Sequence, residues 1–87
     1  MSKVFIVEDD EIIANMVAEH LKSWKMEVRC ANGLKNVTEE IKEFSPDIVL
    51  MDINLPYYNG FYWCAEIRKF SKIPIVFLSS ADDNMNI

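Results

Sequence analysis

The chain has 87 residues, 51% of them apolar and 26% charged, with a formal net charge of −5. That is room for one small domain with a real core and a modest margin of stability. The acidic balance, with Lys and Arg scattered rather than clustered, argues against direct nucleic-acid binding, because phosphate recognition needs concentrated positive charge.

Two cysteines, Cys30 and Cys64, stand far apart without metal-ligand spacing. They read as small apolar residues in a reducing compartment. No apolar run reaches membrane-spanning length, and residues 4–7 are too short for a signal-peptide core and lead into acids. A cytoplasmic chain without membrane association is expected.

Residues 3–7 form a β-branched and aromatic run that predicts a strand. It runs straight into Glu8-Asp9-Asp10-Glu11. Ile13, Met16, Val17, Leu21 and Trp24 follow at helical spacing, with Asp9 or Asp10 available as the cap and acids in the first turn. His20 falls one step off the Val17/Leu21/Trp24 face and reads as solvated. Residues 26–30 predict a second strand, and Asn32-Gly33 turns the chain. Leu34, Val37, Ile41 and Phe44 have helical period, so a strand-to-helix turn is favoured over a hairpin. Ser45-Pro46 ends that helix. Residues 47–51 predict a third strand, apolar on both faces as in a covered parallel sheet, and it ends at Asp52. Residues 54–60 carry turn residues at both ends, and residues 61–70 predict a third helix. Ile73-Pro74 opens a fourth strand over residues 75–78, after which Ser79-Ser80 begins a loop.

The alternation of strand and helix predicts an α/β fold with a parallel sheet and right-handed crossovers. In such sheets ligands sit beyond the carboxyl ends of the strands. Glu8, Asp9, Asp52 and Ser79 all fall just past strand ends, so one geometric rule gathers them. Carboxylates brought that close repel, and the arrangement is stable with a cation between them or with raised pKa values. Mg²⁺ suits such oxygen donors. An aspartate can also attack phosphorus to form an acyl phosphate, and the Ser79 hydroxyl can donate to a bound phosphoryl group. Asp10 and Glu11 read as first-turn helix acids rather than ligands.

Three segments carry a family resemblance: residues 5–10 (Phe-Ile-Val-Glu-Asp-Asp), residues 47–56 with Gly60 after them, and residues 74–81 (Pro-Ile-Val-Phe-Leu-Ser-Ser-Ala). In order and spacing the chain resembles the receiver domain of bacterial two-component response regulators, in wording most like the OmpR-like class. The resemblance implies a flavodoxin-like three-layer α/β fold with sheet order 2-1-3-4, an order taken from the family and not read from the residues. It implies Asp52 as phosphoacceptor, with Asp9 and Asp52 holding Mg²⁺, Glu8 doing so through water, and Asn54 lending its backbone carbonyl. Ser79 would be the hydroxyl that moves toward the phosphoryl group, with a backbone N–H at Ser80 within reach of a phosphoryl oxygen. The donor would be a sensor histidine kinase or a small acyl phosphate, and the output a DNA-binding domain in transcription regulation. Residues 1–87 are expected to be the N-terminal part of the domain, ending before the fifth strand, with the family's lysine and aromatic switch residue beyond Ile87. The expected partners are therefore the kinase and a second copy, the latter through an exposed fourth-strand edge or the apolar sheet faces.

Two rival readings belong to other classes. A phosphatase of haloacid dehalogenase type also uses a strand-end Asp and Mg²⁺, but needs a second Asp two residues later, where Asn54 stands. The other rival is an interaction module without phosphorylation. Tyr57, Tyr58, Tyr62 and Trp63 form an aromatic group that is expected to lie partly in the core and partly on a contact surface.

Overall fold

Four runs of branched and large apolar residues pair into one sheet, and the loop and helix after each of the first three return the chain to start the next strand in parallel. The computed structural model describes residues 2–78; Ser79 and Ser80 lie outside the described residues. The elements in chain order are β1 (Lys3–Val7), α1 (Glu11–Ser23), β2 (Glu27–Cys30), α2 (Val37–Phe44), β3 (Ile48–Asp52), α3 (Gly60–Arg68) and β4 (Ile75–Leu78). The sheet order is β2-β1-β3-β4, with every pairing parallel. No described helix is long and apolar enough to cross a membrane.

The alternation of side chains along β1 and β3 divides the core between two faces. Phe5, Val7, Val49 and Met51 pack with Val37, Ile41, Phe44, Leu55, Trp63 and Ile67 of the α2 and α3 side. Val4 and Ile6 face the other way, onto Ala14 and Ala18 of α1. The three-layer arrangement is therefore α1 on one face and α2 with α3 on the other.

Local signals set the element ends. Asp10 caps α1, its Oδ1 accepting from the N–H groups of Ile12 at 2.9 Å and Ile13 at 3.3 Å. Ser45 ends α2 in the left-handed conformation, φ 52°, and donates its N–H to the Ile41 carbonyl at 2.8 Å. The Asn59 side chain caps α3 through the Tyr62 N–H at 2.9 Å. Boundaries move by one to three residues from those read in the sequence: Leu34 stays in the β2–α2 loop, α2 begins only at Val37, and α3 covers Gly60–Arg68.

The largest departure lies in α1. Its buried residues are Ala14 and Ala18, with Val17 and Leu21 packed beside them, while Ile12, Ile13, Met16 and Trp24 are exposed. Small residues one turn apart let the helix axis approach the sheet, and the bulky neighbours are then turned outward. The expected Ile13/Met16/Trp24 side of the stripe is therefore not core. His20 is exposed as expected, with its ring 5.4 Å from that of Trp24. Both cysteines are free and half-buried; burial pushes the Cys30 thiol up, which keeps it protonated.

Helix α3 starts directly against the end of β3, and only glycine permits it. A Cβ on Gly60 would sit 2.4 Å from the Asp52 carbonyl oxygen and 3.0 Å from Met51 Cγ. The Gly60 N–H meanwhile donates to the Ile53 carbonyl at 3.0 Å, closing the β3–α3 loop. Since the obstructing atom is backbone, relief requires moving the strand end. Gly60→Ala is expected to lower stability by about 1–3 kcal/mol, the usual cost of overpacking, seen as a lower denaturant midpoint. An unchanged midpoint would contradict this packing.

Candidate functional site

The register of β1 on β3 builds the site. Val7 pairs with Met51 in the parallel ladder, so the residues that follow, Glu8 and Asp52, emerge side by side at the carboxyl edge. One carboxylate oxygen from each of Glu8, Asp9 and Asp52 lies within 4.8 Å of the others. Glu8 and Asp52 are half-buried and Asp9 is exposed. Two carboxylates about 4 Å apart repel by about 1 kcal/mol in bulk water and about 4 kcal/mol near a protein surface. The repulsion is enforced by the ladder, because neither strand end can withdraw without losing sheet hydrogen bonds.

Few protein groups offset it. The Asp10 N–H donates to Glu8 Oε2 at 3.3 Å, and the Asn54 N–H donates to Asp52 Oδ1 at 3.1 Å. No lysine or arginine is paired with the three acids among the described residues; the two ion pairs there are Arg29–Glu43 and Lys69–Glu66. Glu8 responds by holding a proton. Burial, then a side-chain hydrogen bond with Asp52, pushes its carboxyl up to about 7, and the Asp10 N–H only partly opposes this. The donor set is all hard oxygen with a net negative charge, which fits a divalent cation such as Mg²⁺.

The site residues named from the sequence divide by position. The fold brings Glu8, Asp9 and Asp52 together. Asn54 lies two residues beyond Asp52 and donates its backbone N–H to the Asp52 carboxylate. Ser79 and Ser80 lie outside the described residues. Asp10 is turned away as the α1 cap, and Glu11 occupies the first turn.

The β2–α2 loop was missed. Its N-terminal anchor is the Ala31 N–H to the Ile6 carbonyl at 2.8 Å, and the Glu40 carboxylate accepts the Asn32 N–H at 3.0 Å. This places Ala31, Asn32 and Lys35 beside Glu8 and Asp9, with Tyr57 from the β3–α3 loop, around a cavity of about 530 Å³. The strand-end rule that collected the acids applies to the end of β2 as well. Of the aromatic group, Trp63 is buried, whereas Tyr57, Tyr58 and Tyr62 are exposed, with Tyr58 stacked on Tyr62 at 4.2 Å between centroids.

Comparison with known proteins gives a consistent result. A family model, the response regulator receiver domain, matches residues 4–87. The transcriptional regulatory protein YvcP of Bacillus subtilis is 45% identical over 86 residues, 99% of this chain and 36% of that protein. The sensory transduction protein BceR of Halalkalibacterium halodurans is 40% identical over 82 residues, 94% of this chain and 36% of that protein. The chain thus spans about a third of the length of the curated relatives it matches. Among solved structures, the N-terminal domain of the nisin resistance regulator NsrR superposes with a TM-score of 0.88 at 49% identity, covering 98% of this chain and 72% of that one. The BeF3-activated receiver domain of Klebsiella pneumoniae RstA gives 0.86 at 36% identity, covering 97% and 72%.

The raised Glu8 carboxyl has a pH signature. A carboxyl at about 7 when folded, against an ordinary value of 4.5, means that the folded state binds the extra proton between those values. Stability from this group is therefore lost as pH rises from about 4.5 through about 7. In chelator, the melting temperature of Glu8→Gln minus that of the parent should increase across this range. A difference that stays flat with pH would contradict the assignment.

Proposed function

The chain belongs to the response regulator receiver domain family, with OmpR-like regulators among its relatives, and from that footing we propose that Asp52 accepts a phosphoryl group. Receiver domains are signalling modules, so the product is a changed state of the protein and not a released compound. The observation that carries the reading is the close grouping of Glu8, Asp9 and Asp52 at the end of a parallel sheet. Asp52 ends β3 with its carbonyl packed close to Gly60, where no Cβ would fit, and one carboxylate oxygen engaged by the Asn54 N–H. The same carboxylate shares a hydrogen bond with the Glu8 side chain, and in this reading the oxygen that attacks phosphorus is the one not held by the Asn54 N–H.

In the transfer, that oxygen forms a bond to phosphorus, the donor's bond to phosphorus breaks, and the electron pair leaves with the donor atom. Asp9 and Asp52 would hold Mg²⁺, Glu8 would do so through water, and the Asn54 backbone carbonyl would join them. The bound ion supplies charge neutralisation for the acids and for the incoming phosphoryl oxygens. With the ion bound, Glu8 would be held as the carboxylate, since a neighbouring positive charge favours the ionised form. Beryllofluoride resembles a phosphoryl group in shape and charge, and the activation of the RstA domain by BeF3 supports the same chemistry here. Beyond the described residues, Ser79 would meet the phosphoryl oxygens with its hydroxyl and Ser80 with its N–H.

The donor would be a sensor histidine kinase in the cytoplasm, and the whole regulator would control transcription through a DNA-binding domain. A second copy of the chain is the other proposed partner. Among the described residues β4 pairs only with β3, and Val76 on it is 46% exposed. An apolar strand with an open edge is a template for pairing.

Two measurements test these proposals. Incubation with Mg²⁺ and acetyl phosphate should add one phosphoryl group that is acid-stable and base-labile by mass spectrometry, and Asp52→Asn should abolish it. A label that survives in Asp52→Asn sinks the assignment, and steady phosphate release without an adduct would favour the phosphatase reading. Light scattering should show an apparent mass that rises with concentration; a monomer throughout would remove the edge-pairing proposal.

A further inference from the structure

The sequence holds two Asn-Gly dipeptides, Asn32-Gly33 and Asn59-Gly60. Asparagine before glycine is open to loss of its side-chain amide, because the glycine nitrogen can reach the Asn Cγ with no Cβ in the way. Reaction requires that this nitrogen and this amide be free to meet. The fold treats the two pairs oppositely.

Asn59 and Gly60 are locked. The Asn59 side chain caps α3 by accepting the Tyr62 N–H at 2.9 Å. Gly60 is buried, and its N–H donates to the Ile53 carbonyl at 3.0 Å. Ring closure there would cost both bonds. Asn32 and Gly33 are open. Both are exposed, and Gly33 has a φ of 94° with nothing within 4 Å of where a Cβ would stand. Among the described residues neither the Gly33 N–H nor the Asn32 side-chain amide has a hydrogen-bond partner. The Asn32 backbone N–H alone is held, by the two Glu40 carboxylate oxygens at 3.0 and 3.2 Å.

We propose that Asn32 is a site of spontaneous deamidation, that Asn59 is protected from it, and that conversion of Asn32 weakens the β2–α2 loop beside the acids. Hydroxide takes the Gly33 amide proton, and the nitrogen attacks Asn32 Cγ. The bond from Cγ to the side-chain nitrogen breaks, and ammonia leaves with a proton from water, which restores the hydroxide. Water then opens the five-membered imide at either carbonyl, giving aspartate or isoaspartate. The one reactant consumed is water, and the chemistry needs no role for Asp52. The product adds a carboxylate to the wall that holds Glu8, Asp9 and Glu11 against the ammonium of Lys35. That charge also sits on the residue whose N–H the Glu40 carboxylate accepts, and like charges so close repel. Isoaspartate further inserts the former side-chain carbon into the backbone. The charge of the acidic site thus changes with the age of the chain.

The test incubates the folded chain in chelator at mildly alkaline pH, then maps peptides by a method that separates asparagine, aspartate and isoaspartate. Amide loss should be at least about tenfold faster at Asn32 than at Asn59, the factor set by a local opening free energy of about 1.4 kcal/mol at the start of α3. In guanidinium chloride, which removes the cap and the loop bonds, the two rates should converge. Asn32→Asp, the product with a normal backbone, should melt below the parent in chelator by about 2–4 °C. Similar rates at the two sites in the folded chain, or a slower rate at Asn32, would overturn the proposal. A difference that persists undiminished in denaturant would also overturn it, by assigning the selectivity to flanking residues. An Asn32→Asp chain that melts with the parent would remove the effect on the loop.

Discussion

The parallel pairing of β1 with β3 is the constraint on which the rest depends. It is built from Val4, Phe5, Ile6 and Val7 against Ile48, Val49, Leu50 and Met51, a ladder buried along most of its length. Burial of that apolar surface supplies the driving force for the fold. The same register sets carboxylates side by side at the strand ends, where they oppose it. The core thus holds together an arrangement that Glu8 relieves in part by keeping a proton, and a cation would replace the remaining repulsion with attraction.

The opposition is concentrated where the chain has least freedom. Behind Asp52, Gly60 leaves no room for a Cβ against the Asp52 carbonyl, and its N–H closes the loop on the Ile53 carbonyl. The Asp52 carboxylate is fixed from the loop by the Asn54 N–H. Glu8 has more latitude and takes up the strain chemically, by keeping a proton up to about pH 7. Asp52, the acid proposed as the nucleophile, thus has the Asn54 N–H on its carboxylate and the Cβ-free Gly60 beside its backbone carbonyl, and positioning contributes heavily to group transfer.

Much of this was legible in the sequence, for identifiable reasons. β1 was placed to the residue and β4 began where it was read, because short branched runs bounded by acids or Pro leave little ambiguity. The acid grouping was legible because strand-end position is a property of chain order. What was not legible depended on distances between elements. The α1 stripe misled because apolar spacing does not distinguish a bulky side from a small-residue side, and close packing on the sheet chose Ala14 and Ala18. The cavity wall at Lys35 and Tyr57 was hidden because it joins two loops remote in sequence. The left-handed turn at Tyr57 gave no signal, since such turns are normally announced by Gly or Asn.

The central claim is that the acids destabilise the fold until a divalent cation joins them. Thermal unfolding measures it directly, in chelator and then over a series of Mg²⁺ concentrations, with NaCl matching the ionic strength. The account predicts a melting temperature that climbs with Mg²⁺ as ligand linkage to the folded state requires, and a much smaller climb in Asp9→Asn. A melting temperature that is the same with Mg²⁺ as in matched NaCl would contradict it.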